Sequence, residues 1–234
     1  MRIAIMQPYF MPYIGYFQLI NAVDKFIIYD DVNFIKKGWI NRNNILANKS
    51  KMMFTIPLKK ASQNEVINKV EISSDDFRKW KDKFFKTLSM SYRNAKRHDV
   101  IMELLSKILS YETNFISELA VHSILEVCQY LEIETDFVLS SSVYCNAQLN
   151  GQERILDICL KEDAITYINP IGGIELYSNN FFLEKDIELR FIKTDVIPYK
   201  QFSEEFIPFL SIIDILMFSD KKYVVEQLSS FKLA

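Results

Sequence analysis

The chain has 234 residues, 49% of them apolar and 25% charged, a balance that belongs to folded globular proteins and excludes a disordered one. Its 28 Lys and Arg against 30 Asp and Glu leave a net charge of −2, so no global basic field exists to draw nucleic acid or anionic lipid. Only 5 glycines are present, which nearly excludes Gly-rich phosphate loops, whereas 18 Phe, 12 Tyr and 2 Trp make aromatics the outlying class.

Residues 2–6 (RIAIM) are a short apolar run stopped by Gln7-Pro8, which predicts a buried strand. Pro12 and Gly15 bracket a turn, and YFQLINAV (16–23) has helical spacing at Phe17, Ile20 and Val23. KFIIYDDV (25–32) predicts a second strand, which completes a strand–loop–helix–strand unit of the kind that builds parallel sheets. FIKKGWINRNNI (34–45) lacks a period; MMFTIPL (52–58) predicts a strand and EVINKVEI (65–72) a half-exposed one. SSDDFRKWKDKFFKTL opens a helical middle with a cap serine and acids in its first turn, and 99–110 and 114–132 continue it.

Beyond Glu134 the pattern returns to alternation. Strands are expected at 136–142, 164–170 and 187–194, and a helix at 150–162, with IGGIELYSNNFF as loop or short helix. FIPFLSIIDILMF (206–218) reads as a buried helix and 220–231 as an amphipathic one. The expected fold is a single α/β domain over 1–234. It has a mostly parallel central sheet flanked by helices and a helical insertion at 74–134.

Cys128, Cys145 and Cys159 are an odd number without CxxC spacing, which favours reduced thiols over a disulfide framework or a thiolate zinc site. The N-terminal apolar run breaks after four residues, too short for a signal peptide's stretch of roughly 7–15. No window reaches the roughly 18 apolar residues of a membrane span. The expectation is a cytoplasmic protein with no membrane and no nucleic-acid partner, and with room for a homo-oligomer.

In open α/β sheets ligands gather at the carboxyl ends of the strands. Gln7, Tyr9 and Tyr13 follow the first expected strand. Asp30 and Asp31 end the second, with Lys36, Lys37, Trp39, Asn41 and Arg42 beyond them. Asn169 ends a later strand, and Tyr199 and Gln201 follow the last. These groups are expected to converge on one crevice. The acid pair reads either as a turn or as a site for magnesium or for proton transfer. Lys36-Lys37 beside Arg42 reads as solvated surface or as a diphosphate clamp. The tyrosines read as core cover or as a wall for a base or sugar. Glu153-Arg154 is a surface pair or an internal clamp. Asp214, in so apolar a segment, requires a buried partner such as an Arg or Ser211. His122 has Glu126 one turn on but no second His at metal-binding spacing, and a pairing of Cys145 with a histidine stays open.

QPYFMPYIGYFQLI followed by DKFIIYDDVNFIKKGWINRN resembles the opening of the WbqC-like proteins. FTIPL, QERILDIC, YINPIGG..LY, YKQ and FIPFLSIIDIL resemble that family's pattern in the same order. Ser219-Asp220 departs from the Asn-Gly type of turn expected there. The resemblance implies a place in bacterial O-antigen and surface-polysaccharide assembly, with glycine transfer to an amino sugar among the suggested activities. A weaker architectural likeness to HIGH-motif nucleotidylyltransferases lacks their histidine, since Tyr16 follows Gly15.

The expected protein is therefore a transferase that acylates the amine of a nucleotide-linked deoxyamino sugar. Asp30 or Asp31 serves catalysis. Gln7, Tyr9, Tyr13, Lys36, Lys37, Trp39, Asn41, Arg42, Asn169, Tyr199 and Gln201 bind substrate, and magnesium or an activated acyl donor is the co-reactant. A nucleotidylyl- or glycosyl-transferase-like enzyme and a non-catalytic sugar-binding subunit are the alternatives.

Overall fold

The structure, a computed structural model, describes residues 1–62 and 64–234. Strand β1 (Arg2–Met6) is followed by α1 (Ile14–Asn21) and β2 (Lys25–Ile28), the unit expected from the sequence. A hairpin, β3 (Arg42–Ala47) and β4 (Ser50–Thr55), leads to three helices, α2 (Ser74–Tyr92), α3 (His98–Leu109) and α4 (Ile116–Leu131). Then come β5 (Asp136–Val138), α5 (Gly151–Lys161), β6 (Thr166–Pro170), α6 (Asn179–Leu183) and β7 (Glu188–Thr194). The chain closes with α7 (Ile212–Phe218), α8 (Lys221–Gln227) and β8 (Phe231–Leu233).

Six strands form one sheet in the order β5-β2-β1-β6-β7-β8, parallel throughout except for β8, which runs antiparallel to β7. Numbered within the sheet, that is 3-2-1-4-5-6, the order of doubly wound nucleotide-binding sheets. The winding reverses between β1 and β6, where Arg2 pairs with Thr166 and Ile3 with Tyr167.

Side chains alternate across the pleat, and the two faces carry separate cores. Ala4, Phe26, Ile28, Ile168 and Ile192 join α1, the β3–β4 hairpin, α2–α4, α7 and α8. Ile3, Ile5, Ile27, Tyr167, Leu189 and Phe191 join α5 and α6. The helical middle therefore lies on the α1 face. No helix among the described residues is long and apolar enough to cross a membrane.

Three expectations fail locally. Residues 65–72 form a 3₁₀ turn (Ile67–Lys69) tied by isolated bridges, not a strand, because Val66 and Ile72 meet different partners, Asn33 and Leu58. The helix expected from 206 starts only at Ile212: Phe209 has φ 58° and Ser211 caps the helix by accepting from the Ile213 amide. The helix expected over 220–231 stops at Gln227, and its tail becomes edge strand β8.

Candidate functional site

The loop joining β1 to α1 passes over the carboxyl edge of the sheet and is tied down from three sides. Asn43 Nδ2 on β3 donates to the Met11 carbonyl at 2.8 Å, and the Ser211 hydroxyl donates to the same oxygen at 2.7 Å. The Met11 amide donates to Ser123 Oγ on α4 at 3.3 Å, and the Ile212 amide to the Pro12 carbonyl at 2.8 Å. Met11 itself sits at φ 47°, a left-handed conformation costly for a side-chain-bearing residue and held here by those contacts. Gly15 follows because a Cβ there would stand 2.3 Å from the Tyr13 ring and 2.4 Å from Thr194 Oγ1. A rigid loop thus presents Tyr9 and Tyr13.

With Pro12, Trp39, Asn43 and Phe209, these tyrosines line a cavity of about 160 Å³. Tyr13 and Phe209 meet edge to face at 6.0 Å between ring centroids, and Trp39 is 43% exposed. The Arg42 guanidinium lies 5.6 Å from the Trp39 ring centroid, so the aromatic cavity and the cations of the 36–42 loop are neighbours across that stack. Arg42 also donates to the Gly38 carbonyl at 2.8 Å and to the Lys37 carbonyl, fixing the loop. Lys36, Lys37, Asn41 and Arg42 line an open groove. Neither lysine has a carboxylate partner among the described residues.

The two aspartates diverge. Asp31 is bound by the buried Arg154 guanidinium at 2.6 Å and by the Ser141 hydroxyl, and Arg154 also reaches Asn146 and stacks over Tyr29. Arg154 is an internal clamp, and Asp31 is consumed by it. Asp30 turns the other way, toward a cavity of about 250 Å³ shared with Tyr111, Ser117, Glu118, His122 and Leu139. Burial holds the Asp30 carboxyl above the usual carboxylate range, and the adjacent Asp31 charge adds to this, while bonds from Ser140 and Ser141 work against it. Burial lowers the His122 imidazole and Lys107 does so too, with Glu126 opposing. The acid pair does not act as a pair: Asp31 is already neutralised by Arg154, which leaves Asp30 as the one carboxylate of the two that faces a cavity.

The remaining expected residues make bonds within the fold. Asn41 Nδ2 donates to the Ile56 carbonyl at 2.8 Å, which orients the side chain and leaves its second N–H and its Oδ1 toward the groove it lines. Tyr199 and Gln201 donate to the Asp214 carboxylate at 2.6 and 2.7 Å, and burial and the adjacent Asp214 charge push the Tyr199 hydroxyl well above its ordinary range. Asp214 is thus partnered by Tyr92, Tyr199 and Gln201, not by an Arg or Ser211. Asn169 lies at the β6 end against Gly173, where a Cβ would stand 2.1 Å from its Nδ2. Gln7 lends its backbone carbonyl to the Tyr16 hydroxyl. Cys128 and Cys159 are buried, with thiols pushed up to about 12, and Cys145 is exposed.

A single crevice does not form. Tyr9, Tyr13 and Trp39 share one cavity, the cations line a groove beside it, and Asp30 faces another space. The physical reason is α4, which packs over the β2 and β5 ends and gives Asp30 its own enclosure. Phe209, Asn43, Tyr111 and His122 were not legible as site residues. Phe209 reads as helix core, and only its left-handed backbone aims it at Tyr13. For His122 the solitary histidine was the available signal.

Comparison with known proteins places these features in a lineage. The family model described as "WbqC-like protein family" matches residues 7–225. Over 218 residues the chain is 29% identical to "Uncharacterized protein Rv1507c" of Mycobacterium tuberculosis (strain ATCC 25618 / H37Rv), covering 92% of each. No solved structure matches.

Proposed function

The chain belongs to the WbqC-like protein family, and on that premise we propose that it is a transferase of O-antigen or related surface-polysaccharide assembly. In this reading it acylates the amine of a nucleotide-linked deoxyamino sugar with a glycyl group. The observation that carries the reading is the aromatic cavity of Tyr9, Tyr13, Trp39 and Phe209 beside the Arg42–Trp39 stack and two lysines without acid partners. Sugar rings present apolar C–H faces that lie on aromatic rings, and a diphosphate requires fixed cations next to them. Lys36 and Lys37 bind the diphosphate, while Arg42 braces the loop and adds charge.

Asp30 is the remaining acid–base group at this edge of the sheet. Asp30 lines a different cavity from the aromatic one, so this reading requires the amine end of the substrate to reach into it; there, as the amine attacks the activated acyl carbonyl, the C–N bond forms, the bond to the acyl carrier breaks, and Asp30 takes the proton released from nitrogen. Such proton transfer contributes roughly 10²–10⁴-fold. A carboxyl raised toward neutrality suits that task better than an ordinary one.

A second reading is favoured by the strand order. A 3-2-1-4-5-6 sheet binds nucleotides where its winding reverses, here between β1 and β6, which suits a nucleotidylyl- or glycosyl-transferase. That reading requires release of diphosphate or free nucleotide.

The test is to incubate the protein with UDP- and dTDP-linked amino sugars and activated glycyl donors and to follow product mass. The expected result is addition of one glycyl residue to the sugar amine. Trp39→Ala should raise KM about tenfold with less effect on kcat, as loss of ground-state binding does. Release of free nucleotide with the amine untouched would support the second reading, and saturable binding without turnover would leave a carrier.

A further inference from the structure

We propose that the cavity between the ends of β2 and β5 and helix α4 is a binding site for a primary ammonium group. Asp30 is its charge partner and the stacked Tyr111 and His122 rings are its wall.

Asp30 is only 5% exposed. Both side-chain-directed donors near it, the Ser140 hydroxyl at 2.7 Å and the Ser141 amide at 3.2 Å, go to Oδ1. Oδ2 has no protein donor among the described residues, and Asp30 lines a cavity of about 250 Å³. Oδ2 opens on the cavity rather than being sealed in the core, so a cationic donor arriving there gains a charge-assisted bond to a carboxyl that is otherwise largely withdrawn from water.

The cavity's own groups supply no such donor. Glu118 is an acceptor, bonded by Thr113, no Lys or Arg lines the cavity among the described residues, and Lys107, which acts on His122, is 2.6 Å from Glu126. The Tyr111 and His122 rings stack with centroids 4.3 Å apart at 20°, offering an aromatic surface beside the acid. A neutral imidazole and aromatic faces tolerate a cation, whereas an anion would meet Asp30 and Glu118 together. With no three metal-ligating side chains assembled among the described residues, an organic ammonium fits better than a bare metal ion.

An amino sugar and an amino acid both carry this group. The inference deepens the transferase reading, which needs an amine held in place, but its test does not depend on turnover. Only His98 and His122 are present, so the imidazole NMR signals of the full chain can be assigned with a single His98→Gln variant. Glucosamine and glycinamide are titrated against N-acetylglucosamine and N-acetylglycinamide, which are similar in shape but lack the charge.

The expected result is that a free amine shifts the His122 signal and leaves His98 unmoved, while the acetylated compounds do neither. A response to glucosamine alone identifies an amino-sugar site, a response to glycinamide alone an amino-acid site. Asp30→Asn keeps the Oδ1 acceptor but puts an amide in place of Oδ2, and should weaken binding about tenfold or more. Amines that leave His122 unmoved, acetylated compounds that act equally, or a folded Asp30→Asn chain that binds as well would each overturn the proposal. The acetylated comparison needs only the wild-type chain, so it decides even if the variant does not fold. Glycyl transfer by a chain whose His122 ignores every amine would remove this site and leave the transferase reading. A His122 response without turnover would do the reverse.

Discussion

Asp214 lies at 0% exposure in α7, where three neutral groups meet it: Tyr92 at 2.8 Å, Tyr199 at 2.6 Å and Gln201 at 2.7 Å. Tyr92 in turn accepts from the Leu46 amide at 2.8 Å, so one carboxylate ties α7 to the end of α2 and to β3. Asp214→Ala strands all these donors and should cost roughly 3 kcal/mol or more, read by urea unfolding. Burial raises the Asp214 carboxyl above its unfolded value, outweighing the lowering by its donors. Between the unfolded and folded values the native chain therefore holds more protons than the unfolded one, and acidification through that window adds stability at this site. Asn has no such titration. Wild type should accordingly gain stability relative to Asp214→Asn as pH falls through the raised folded value toward the ordinary carboxylate range, and a difference that stays constant or shrinks down to that range would contradict the assignment. That Asp214 needs a buried partner was legible from its apolar surroundings. Which partner was not, because Tyr92 is 122 residues away and reaches it only through tertiary packing.

The β3–β4 hairpin is an element the residues concealed. Its two-residue turn, Asn48-Lys49, has φ 50° and 58°, the conformation that Asn-Gly adopts readily and lysine does not. Without a glycine, RNNILANKSKMMFT carries no hairpin signal, and buried Asn43 and Asn44 break the alternation. Those asparagines are explained by the loops they serve: Asn43 bonds the Met11 carbonyl, and the Asn44 carbonyl accepts from the Ser211 amide. Relieving the left-handed lysine predicts that Lys49→Gly stabilises the protein by about 0.5–1 kcal/mol in thermal unfolding. The lost pair with Glu204, 3.6 Å apart with both side chains mostly exposed, should count for almost nothing. Helices α2, α3 and α4 were legible because their apolar stripes are long and periodic. The 3₁₀ turn at Ile67–Lys69 was not, since the residues flanking it make isolated bridges to three separate segments, at Asn33, Leu58 and Phe115.

At the scale of the molecule, the β1–α1–β2 unit and the mostly parallel sheet could be read along the chain, but the strand order could not. Order depends on which edge each crossover chooses, and that choice is made by packing on the two faces. From the sequence, the residues after each strand are expected to meet in one crevice at the sheet's carboxyl edge. The same packing parted them, because α4 encloses Asp30 while the hairpin brings Trp39 and Arg42 beside the tyrosines. Central to the proposed function is that the 36–42 loop and the aromatic cavity act as one nucleotide-sugar site. A crystal structure of the protein with a UDP- or dTDP-linked amino sugar tests this most directly. The account predicts the sugar ring against Trp39 and Tyr13 with its diphosphate beside Lys36 and Lys37. A nucleotide seated instead between the β1 and β6 ends, with that cavity empty, would contradict it.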